Sequence, residues 1–214
     1  MPVDRRSFVG AALVLALVRG AAGAPLLDEL ASAVANDRAE VVRGLLARGM
    51  DPNSVDANGE TMLGIAARNG STQAVRVLLA AKADPNLANR YGDTPLMLAA
   101  LKGHLAIVQQ LVAARAALDP RGWTPLIYAA TGGHDAIVDY LIDHGANLDA
   151  QSANGTTALM MAIHEHHHGT ARRLIDRGAD VTLRNQDGAT ALSWAKVNHE
   201  DALVRELRRA GARD

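Results

Sequence analysis

Apolar residues along this chain follow two alternating patterns, each the length of a short helix. The first pattern starts at a threonine and continues through closely spaced apolar residues, as in TPLMLAALKG and TPLIYAATGG. Threonine is a favoured N-cap and proline is tolerated at the first helical position, so each such segment predicts a helix start. The second pattern, as in AIVQQLVAARA and AIVDYLIDHGA, has apolar residues at helical spacing and ends at a glycine or its substitute. Together they predict pairs of short helices joined by a tight turn.

The predicted helix pair is repeated in register along the chain. Five segments align without gaps: GETMLGIAARNG, GDTPLMLAALKG, GWTPLIYAATGG, GTTALMMAIHEH and GATALSWAKVNH. Their threonines, at positions 61, 94, 124, 157 and 190, are separated by 33, 30, 33 and 33 residues. Neither helix of a pair can bury its apolar face alone, so neighbouring pairs must stack into an elongated array.

This unit resembles the ankyrin repeat, a helix-turn-helix plus β-turn of about 33 residues. The resemblance covers residues 26–214 and implies an all-α solenoid of stacked helix-turn-helix units. It also implies projecting β-turn fingers and a concave face formed by the first helices. We divide the chain into an export signal, 1–24, and a repeat domain, 25–214. The domain has six units, the first and last being caps: 26–57, 58–90, 91–120, 121–153, 154–186 and 187–214.

Three departures from the repeat are expected to alter it locally. Lys82 and Arg115 stand where a glycine usually ends the second helix, so those two ends are expected to be strained or re-formed. The 30-residue spacing removes three residues between Leu118 and Trp123, which leaves either a stunted finger or a notch in the face. His166 occupies the position that a glycine has in the preceding unit.

Composition excludes several classes of function. The chain contains no cysteine, so disulfides, cysteine-ligated zinc and a thiol nucleophile are excluded. Its net charge is -1, with lysine and arginine scattered among acidic residues, which gives no basic surface for nucleic acid. The sequence has neither a nucleophile-elbow motif nor a phosphate-binding loop. We therefore expect no catalytic residues and no cofactor.

The first residues have the layout of an export signal. Arg5 and Arg6 precede an apolar run from Phe8 to Val18, and the small residues 22–24 follow it. The run is too short to span a bilayer core about 30 Å thick. Arg-Arg-Ser-Phe resembles the twin-arginine signal of bacteria. We expect a periplasmic protein without a membrane segment once the signal is cleaved after residue 22, 23 or 24.

The segment HEHHH, His164–His168, fits the H-E-x-x-H pattern of zinc proteases. In those enzymes the two histidines lie one turn apart on a single helix. Alignment on Thr124 and Thr157 instead places HEHHH across the turn between two helices. A zinc protease is therefore not expected.

A metal site without catalysis remains an alternative for this segment. Four histidines within five residues readily provide two that converge on a metal ion, and the candidate ligands are His164, His166, His167 and His168. The other interpretation is a solvated turn, because His104 and His134 occupy the position of His167 in earlier units. His199, the counterpart of His166, is expected to lie too far away for shared ligation, since packed helices are roughly 10 Å apart.

The resemblance to ankyrin repeats implies that a partner protein contacts the finger residues before each threonine and the last turn of each first helix. The corresponding residues are Arg68, Asn69, Arg90, Tyr91, Asp93, Leu101, Lys102, Arg121, Trp123, Thr131, His164 and Glu165. Four of them combine the residue types that anchor protein interfaces: Arg90, Tyr91, Arg121 and Trp123. The alternative is that Trp123 packs on Tyr91 to cover the missing finger residues.

The sequence thus predicts a monomeric, non-enzymatic scaffold that binds another protein in the bacterial cell envelope. Binding of nucleic acid is not expected. Two alternatives belong to other classes. One is an envelope metal-handling accessory protein that uses His164–His168, and the other is a hydrolase.

Overall fold

The computed structural model describes residues 23–213, and the predicted export signal lies outside them except for its last two residues. Helices make up the regular structure of this part, with one isolated antiparallel bridge between Val55 and Thr61. The helices are α1 (Gly23–Ala35), α2 (Ala39–Ala47), α3 (Met62–Asn69), α4 (Thr72–Ala80), α5 (Pro95–Lys102), α6 (Leu105–Ala113), α7 (Pro125–Thr131), α8 (Asp135–Asp143), α9 (Ala158–His164), α10 (His168–Asp176), α11 (Ala191–Val197) and α12 (Asp201–Arg209). They form six consecutive pairs, which is the all-α array that the sequence predicts.

The repeated threonines start the first helix of every pair except the first one. In α3, α5, α7, α9 and α11 the threonine before the helix accepts a hydrogen bond from the backbone N–H three residues on. All five threonines are buried, and an N-cap of this kind stabilises a helix by about 1 kcal/mol. Since each helix has only seven or eight residues, too few for stability in isolation, the caps and the stacking together define where it begins.

The two helices of a pair lie in different layers. The first helices pack against one another along the array, from α1 and α3 to α9 and α11, and the second helices form a parallel row from α2 to α12. Helix α5 buries six of its eight residues, whereas α6 buries only Ile107, Val108 and Leu111. The core therefore runs through the first helices as one continuous cluster, and the second helices present a polar face to solvent.

A ladder of hydrogen bonds joins the bases of the fingers, the loops 51–60, 84–93, 117–123, 147–156 and 180–189. In each of the first four fingers, one side chain accepts the backbone N–H that opens the next finger. These contacts are Asp84 N–H to Asn53, Ala117 N–H to Asn86, Asn147 N–H to Asp119 and Asp180 N–H to Asp149, with N···O distances of 2.8, 2.7, 3.0 and 2.8 Å. The ladder fixes the spacing of neighbouring units.

The third finger, 117–123, keeps this ladder but lacks a tip. In the other four fingers a backbone bond closes the tip, as between Asn89 N–H and Asp93 O at 2.9 Å. The described residues of the third finger have no counterpart of this bond. Tip-to-tip bonds, Arg90 N–H to Gly59 O and Gln186 N–H to Asn154 O, link fingers one and two and fingers four and five. Of the two predicted outcomes, the structure shows a stunted finger, and the row of linked tips is interrupted there.

Lys82 and Arg115 end their helices in the conformation that a glycine has elsewhere. Their φ angles are 68° and 65°, in the left-handed region, and Gly145 at the corresponding place has a φ of 94°. A side chain with a Cβ costs about 1–2 kcal/mol in this conformation. The two helix ends are therefore strained and not re-formed.

Ion pairs cross the outer layer between α8, α10 and α12. Arg173 contacts Asp139 at 2.6 Å, Arg177 contacts both Asp139 and Asp143, and Arg172 contacts Glu206 at 3.0 Å. The side chains are partly exposed, and exposed pairs of this kind contribute about 0–1 kcal/mol each. These three arginines are thus paired with carboxylates of neighbouring helices.

Candidate protein-binding surface

Two large side chains stand exposed on the second and third fingers. Tyr91 is 67% exposed and Trp123 is 38% exposed, which is unusual for aromatic residues in a chain that has few of them. Arg90 lies over the Tyr91 ring, with its guanidinium carbon 4.8 Å from the ring centre, and donates a hydrogen bond to the Tyr91 hydroxyl at 2.6 Å. The arginine thereby holds the tyrosine in one orientation. Arg121 is also exposed on the third finger.

Trp123 packs against Tyr128, the residue that the first helix of its own unit turns toward the same face. The two rings meet edge to face with their centres 5.6 Å apart. The Tyr128 hydroxyl donates a hydrogen bond to Asp93 of the preceding unit. Trp123 is thus supported from below by Tyr128, and not by Tyr91 as the alternative interpretation had it.

The Tyr128–Asp93 hydrogen bond ties the second finger to the fourth unit. Burial of the phenol and this hydrogen bond raise the pKa of Tyr128 well above its usual range. The phenol therefore stays protonated and remains a donor at any physiological pH. Asp93 is half-buried and committed to this bond, so its role among the predicted contact residues is to position Tyr128.

The predicted contact residues at the helix ends divide into exposed and engaged ones. Asn69, Lys102, His164 and Glu165 are exposed, whereas Arg68, Leu101 and Thr131 are half-buried. Arg68 forms an ion pair with the buried Glu60 at 3.2 Å. The backbone carbonyls of the three half-buried residues also accept contacts from histidines of the following units.

In three of the four inner units a histidine reaches back to the unit before it. The Nε2 atoms of His104, His134 and His167 lie 3.2, 2.9 and 3.0 Å from the carbonyl oxygens of Arg68, Leu101 and Thr131. Each ring covers a glycine of that earlier unit. A Cβ on the glycine would lie within 3 Å of the ring. These histidines are structural, and the sequence interpretation of His167 as one more member of the series is confirmed.

The HEHHH segment is divided as the repeat register predicts. Helix α9 ends at His164 and α10 begins at His168, so the two outer histidines do not lie one turn apart on one helix. His164 contacts the Glu165 carboxylate at 2.9 Å and lies 5.4 Å from the Trp194 ring. The arrangement has no H-E-x-x-H helix on which a zinc protease depends.

The structure revises the set of candidate metal ligands. It brings His166 and His168 together with Glu200 of the next unit, with all three ligand atoms within 4.8 Å of one another. His164 and His167 are engaged elsewhere, so they do not belong to this cluster. Sequence reasoning missed Glu200, because its distance from the histidines was judged from His199 and not from the residue beside it.

Comparison with known proteins agrees with this architecture. Family models of ankyrin repeats match the chain in three overlapping copies, over residues 30–120, 113–185 and 147–213. The crystal structure of an ankyrin repeat domain from Acinetobacter baumannii AYE is similar, with 30% sequence identity and a TM-score of 0.76. This similarity extends over 86% of the present chain and 98% of that domain. Curated protein sequences give no significant match.

The helices described between residues 23 and 213 are all short of the length and apolar character needed to cross a membrane. They stack in six pairs joined by tight turns. Threonine N-caps begin the first helices of five pairs, and hydrogen bonds join the bases of neighbouring fingers. Together with the three matches to the family model and the similarity to a solved repeat domain, these features show that the chain belongs to the ankyrin-repeat family.

Proposed function

We propose that this protein is a non-enzymatic scaffold that binds another protein through the surface around its second and third fingers. Ankyrin repeats generally mediate protein–protein interaction. The observation that carries the proposal is the exposure of Tyr91 and Trp123 on adjacent fingers, each held by a neighbour. Aromatic residues and arginine supply most of the binding energy at protein interfaces.

The rigidity of this surface supports the same conclusion. Arg90 fixes Tyr91, and Tyr128 supports Trp123 while it is bonded to Asp93. Side chains that are already ordered lose little entropy on binding, so more of the contact energy appears as affinity. The missing tip of the third finger leaves Arg121 and Trp123 without the flanking loop that other fingers have.

Photo-crosslinking from this surface tests the proposal. With p-benzoylphenylalanine in place of Tyr91 or of Trp123, we expect a defined crosslinked adduct to form in the producing bacterium and to be identified by mass spectrometry. In pull-down with that partner, Arg90→Ala and Trp123→Ala are expected to weaken binding by about 30-fold or more, since interface anchors contribute about 2 kcal/mol or more.

Val41 provides the matched control, because it is exposed to the same 38% as Trp123 but lies on α2 at the other layer. Crosslinker at Val41 is expected to give no such adduct, and Val41→Ala is expected to bind as the unchanged protein does. If Arg90→Ala and Trp123→Ala retain a native circular dichroism spectrum and full affinity, this surface is not the binding site.

We further propose that the protein acts in the bacterial cell envelope after export by the twin-arginine route. The support is the N-terminal layout of Arg5, Arg6, the apolar run and small residues. A fusion of residues 1–30 to a reporter is expected to be exported and processed, and replacing Arg5 and Arg6 by lysines is expected to abolish this. Retention of the unmodified fusion in the cytoplasm would contradict the proposal.

A further inference from the structure

In the second to fifth units, the side chain at one repeated position contacts a backbone carbonyl of the unit before it. The last unit has a different kind of residue at this position. This position lies ten residues after the N-cap threonine. In successive units it is occupied by Ser71, His104, His134, His167 and Glu200. Ser71 donates to Ala35 O at 3.2 Å, and the three histidines contact the corresponding carbonyls of the units that precede them. A carboxylate cannot donate to a carbonyl, so Glu200 cannot repeat this contact.

Glu200 is nevertheless buried at that interface. Its side chain is only 8% exposed, and its Oε2 atom has no hydrogen-bond partner within the described part of the chain. Its Oε1 atom lies 2.9 Å from His166 Nδ1 and 2.8 Å from His168 Nε2. A buried carboxylate with an unpaired oxygen is costly unless a cation accompanies it.

The residue that faces Glu200 is changed as well. In the three interfaces that a histidine closes, its ring covers Gly70, Gly103 or Gly133, each with a positive φ. At the last interface, between the fifth and sixth units, this place is taken by His166, which keeps the left-handed backbone with a φ of 60°. The glycine–histidine contact is thus replaced on both sides, by a histidine and a glutamate. His166 therefore adds an imidazole to the interface that holds the buried Glu200 carboxylate.

We propose that His166 Nδ1, His168 Nε2 and the Glu200 carboxylate bind a Zn²⁺ ion between the fifth and sixth units. Two imidazoles and one carboxylate are a common donor set for zinc, with bonds of 2.0–2.2 Å. Tetrahedral ligands at that distance are about 3.4 Å apart. The present separations of 2.8 and 2.9 Å to Oε1 therefore need to widen by about 0.5 Å to admit the ion.

The remaining coordination position faces solvent. His166 and His168 are 63% and 50% exposed in their side chains, while Glu200 forms the buried floor of the site. Water completes the coordination in the free protein. The ion neutralises the buried carboxylate. It gives Oε2, which the His–Glu–His hydrogen bonds leave without a partner, a place as the second oxygen of a bidentate ligand. Hard cations such as Mg²⁺ prefer all-oxygen sites and are expected not to compete.

Calorimetry of the tag-free full chain with ZnCl₂ tests this site. We expect one equivalent to bind with micromolar or tighter affinity, and Co²⁺ in its place to give the visible absorption of a four- or five-coordinate site. His168→Gln and Glu200→Gln are expected to weaken binding by at least about 100-fold, because loss of even an outer-shell partner costs 10–100-fold.

His166→Gly separates binding from folding. Glycine adopts the left-handed backbone freely, so this variant is expected to raise the midpoint of thermal unfolding without metal while it loses zinc binding. His199→Gly is the matched control, since His199 has a φ of 58° at the same position of the last unit and lies outside the cluster. It is expected to gain stability and to keep the site. Millimolar zinc affinity in the unchanged protein, or unchanged affinity in all three ligand variants, would overturn the proposal.

Discussion

Replacing Leu111 by alanine is expected to lower the free energy of unfolding by about 2–5 kcal/mol. Leu111 is fully buried on α6, which packs between α4 and α8 in the middle of the array. The truncation leaves a cavity in the continuous core. In a solenoid each unit is stabilised only by its neighbours, so a central defect weakens the coupling of both halves.

Urea unfolding followed by circular dichroism at the helical minimum measures this loss. Leu105→Ala makes the same chemical change on the same helix at a half-buried position, and it is expected to cost clearly less. Equal losses for the two variants would show that α6 is not packed as the structure has it. A broadened or two-step transition for Leu111→Ala alone would report the weakened coupling directly.

Replacing Gly133 by alanine is the second change with a large expected effect, about 2–5 kcal/mol of destabilisation. Gly133 has a φ of 67°, which a residue with a Cβ adopts only at a cost. The added Cβ would also lie 2.5 Å from Nδ1 of the His167 ring, which covers the glycine and is bonded to the Thr131 carbonyl. Either the ring or the backbone must move, and the interface between units four and five loses its contact.

Gly145→Ala separates the two contributions to this effect. Gly145 has a φ of 94°, but a Cβ there would meet no atom within 4 Å. It is expected to cost only the backbone term, about 1–2 kcal/mol. In a double-mutant cycle, His167→Ala is expected to relieve part of the Gly133→Ala penalty. Thermal and urea unfolding of the unchanged protein, the two single variants and the double variant would measure this coupling. Strictly additive losses of stability would contradict the proposed clash.

Much of the fold could be predicted from the sequence because its signals are local and repeated. A threonine N-cap and a helical apolar spacing identify each helix without reference to distant residues, and five aligned copies reinforce one another. The same register predicted correctly that HEHHH is split between α9 and α10. The strained ends at Lys82 and Arg115 were also visible, because a glycine position is defined by the backbone that it must adopt.

The contacts around the candidate surfaces were harder to predict because several of them join residues about one repeat apart. One of the two interpretations of Trp123 had it packed on Tyr91, whereas the structure pairs it with Tyr128, which the helix turns toward the same face. The gap expected between neighbouring turns is bridged by Glu200, which lies 34 positions after His166. Side-chain direction decides such contacts, and aligned spacing alone does not give it. Comparing the tenth position across all units would have singled out Glu200.

The hydrogen-bonded bases of the fingers separate the tip of each finger from the stacked helices of its unit, so that the tip can change in sequence independently of the helices. The third finger is three residues shorter than its neighbours, yet Asp119 still accepts the N–H of Asn147 and the ladder continues through it. Length and sequence at the tips are therefore not transmitted to the stacking of the helices. Such a protein can acquire a new surface by insertion, deletion or substitution at a tip while its framework is inherited unchanged.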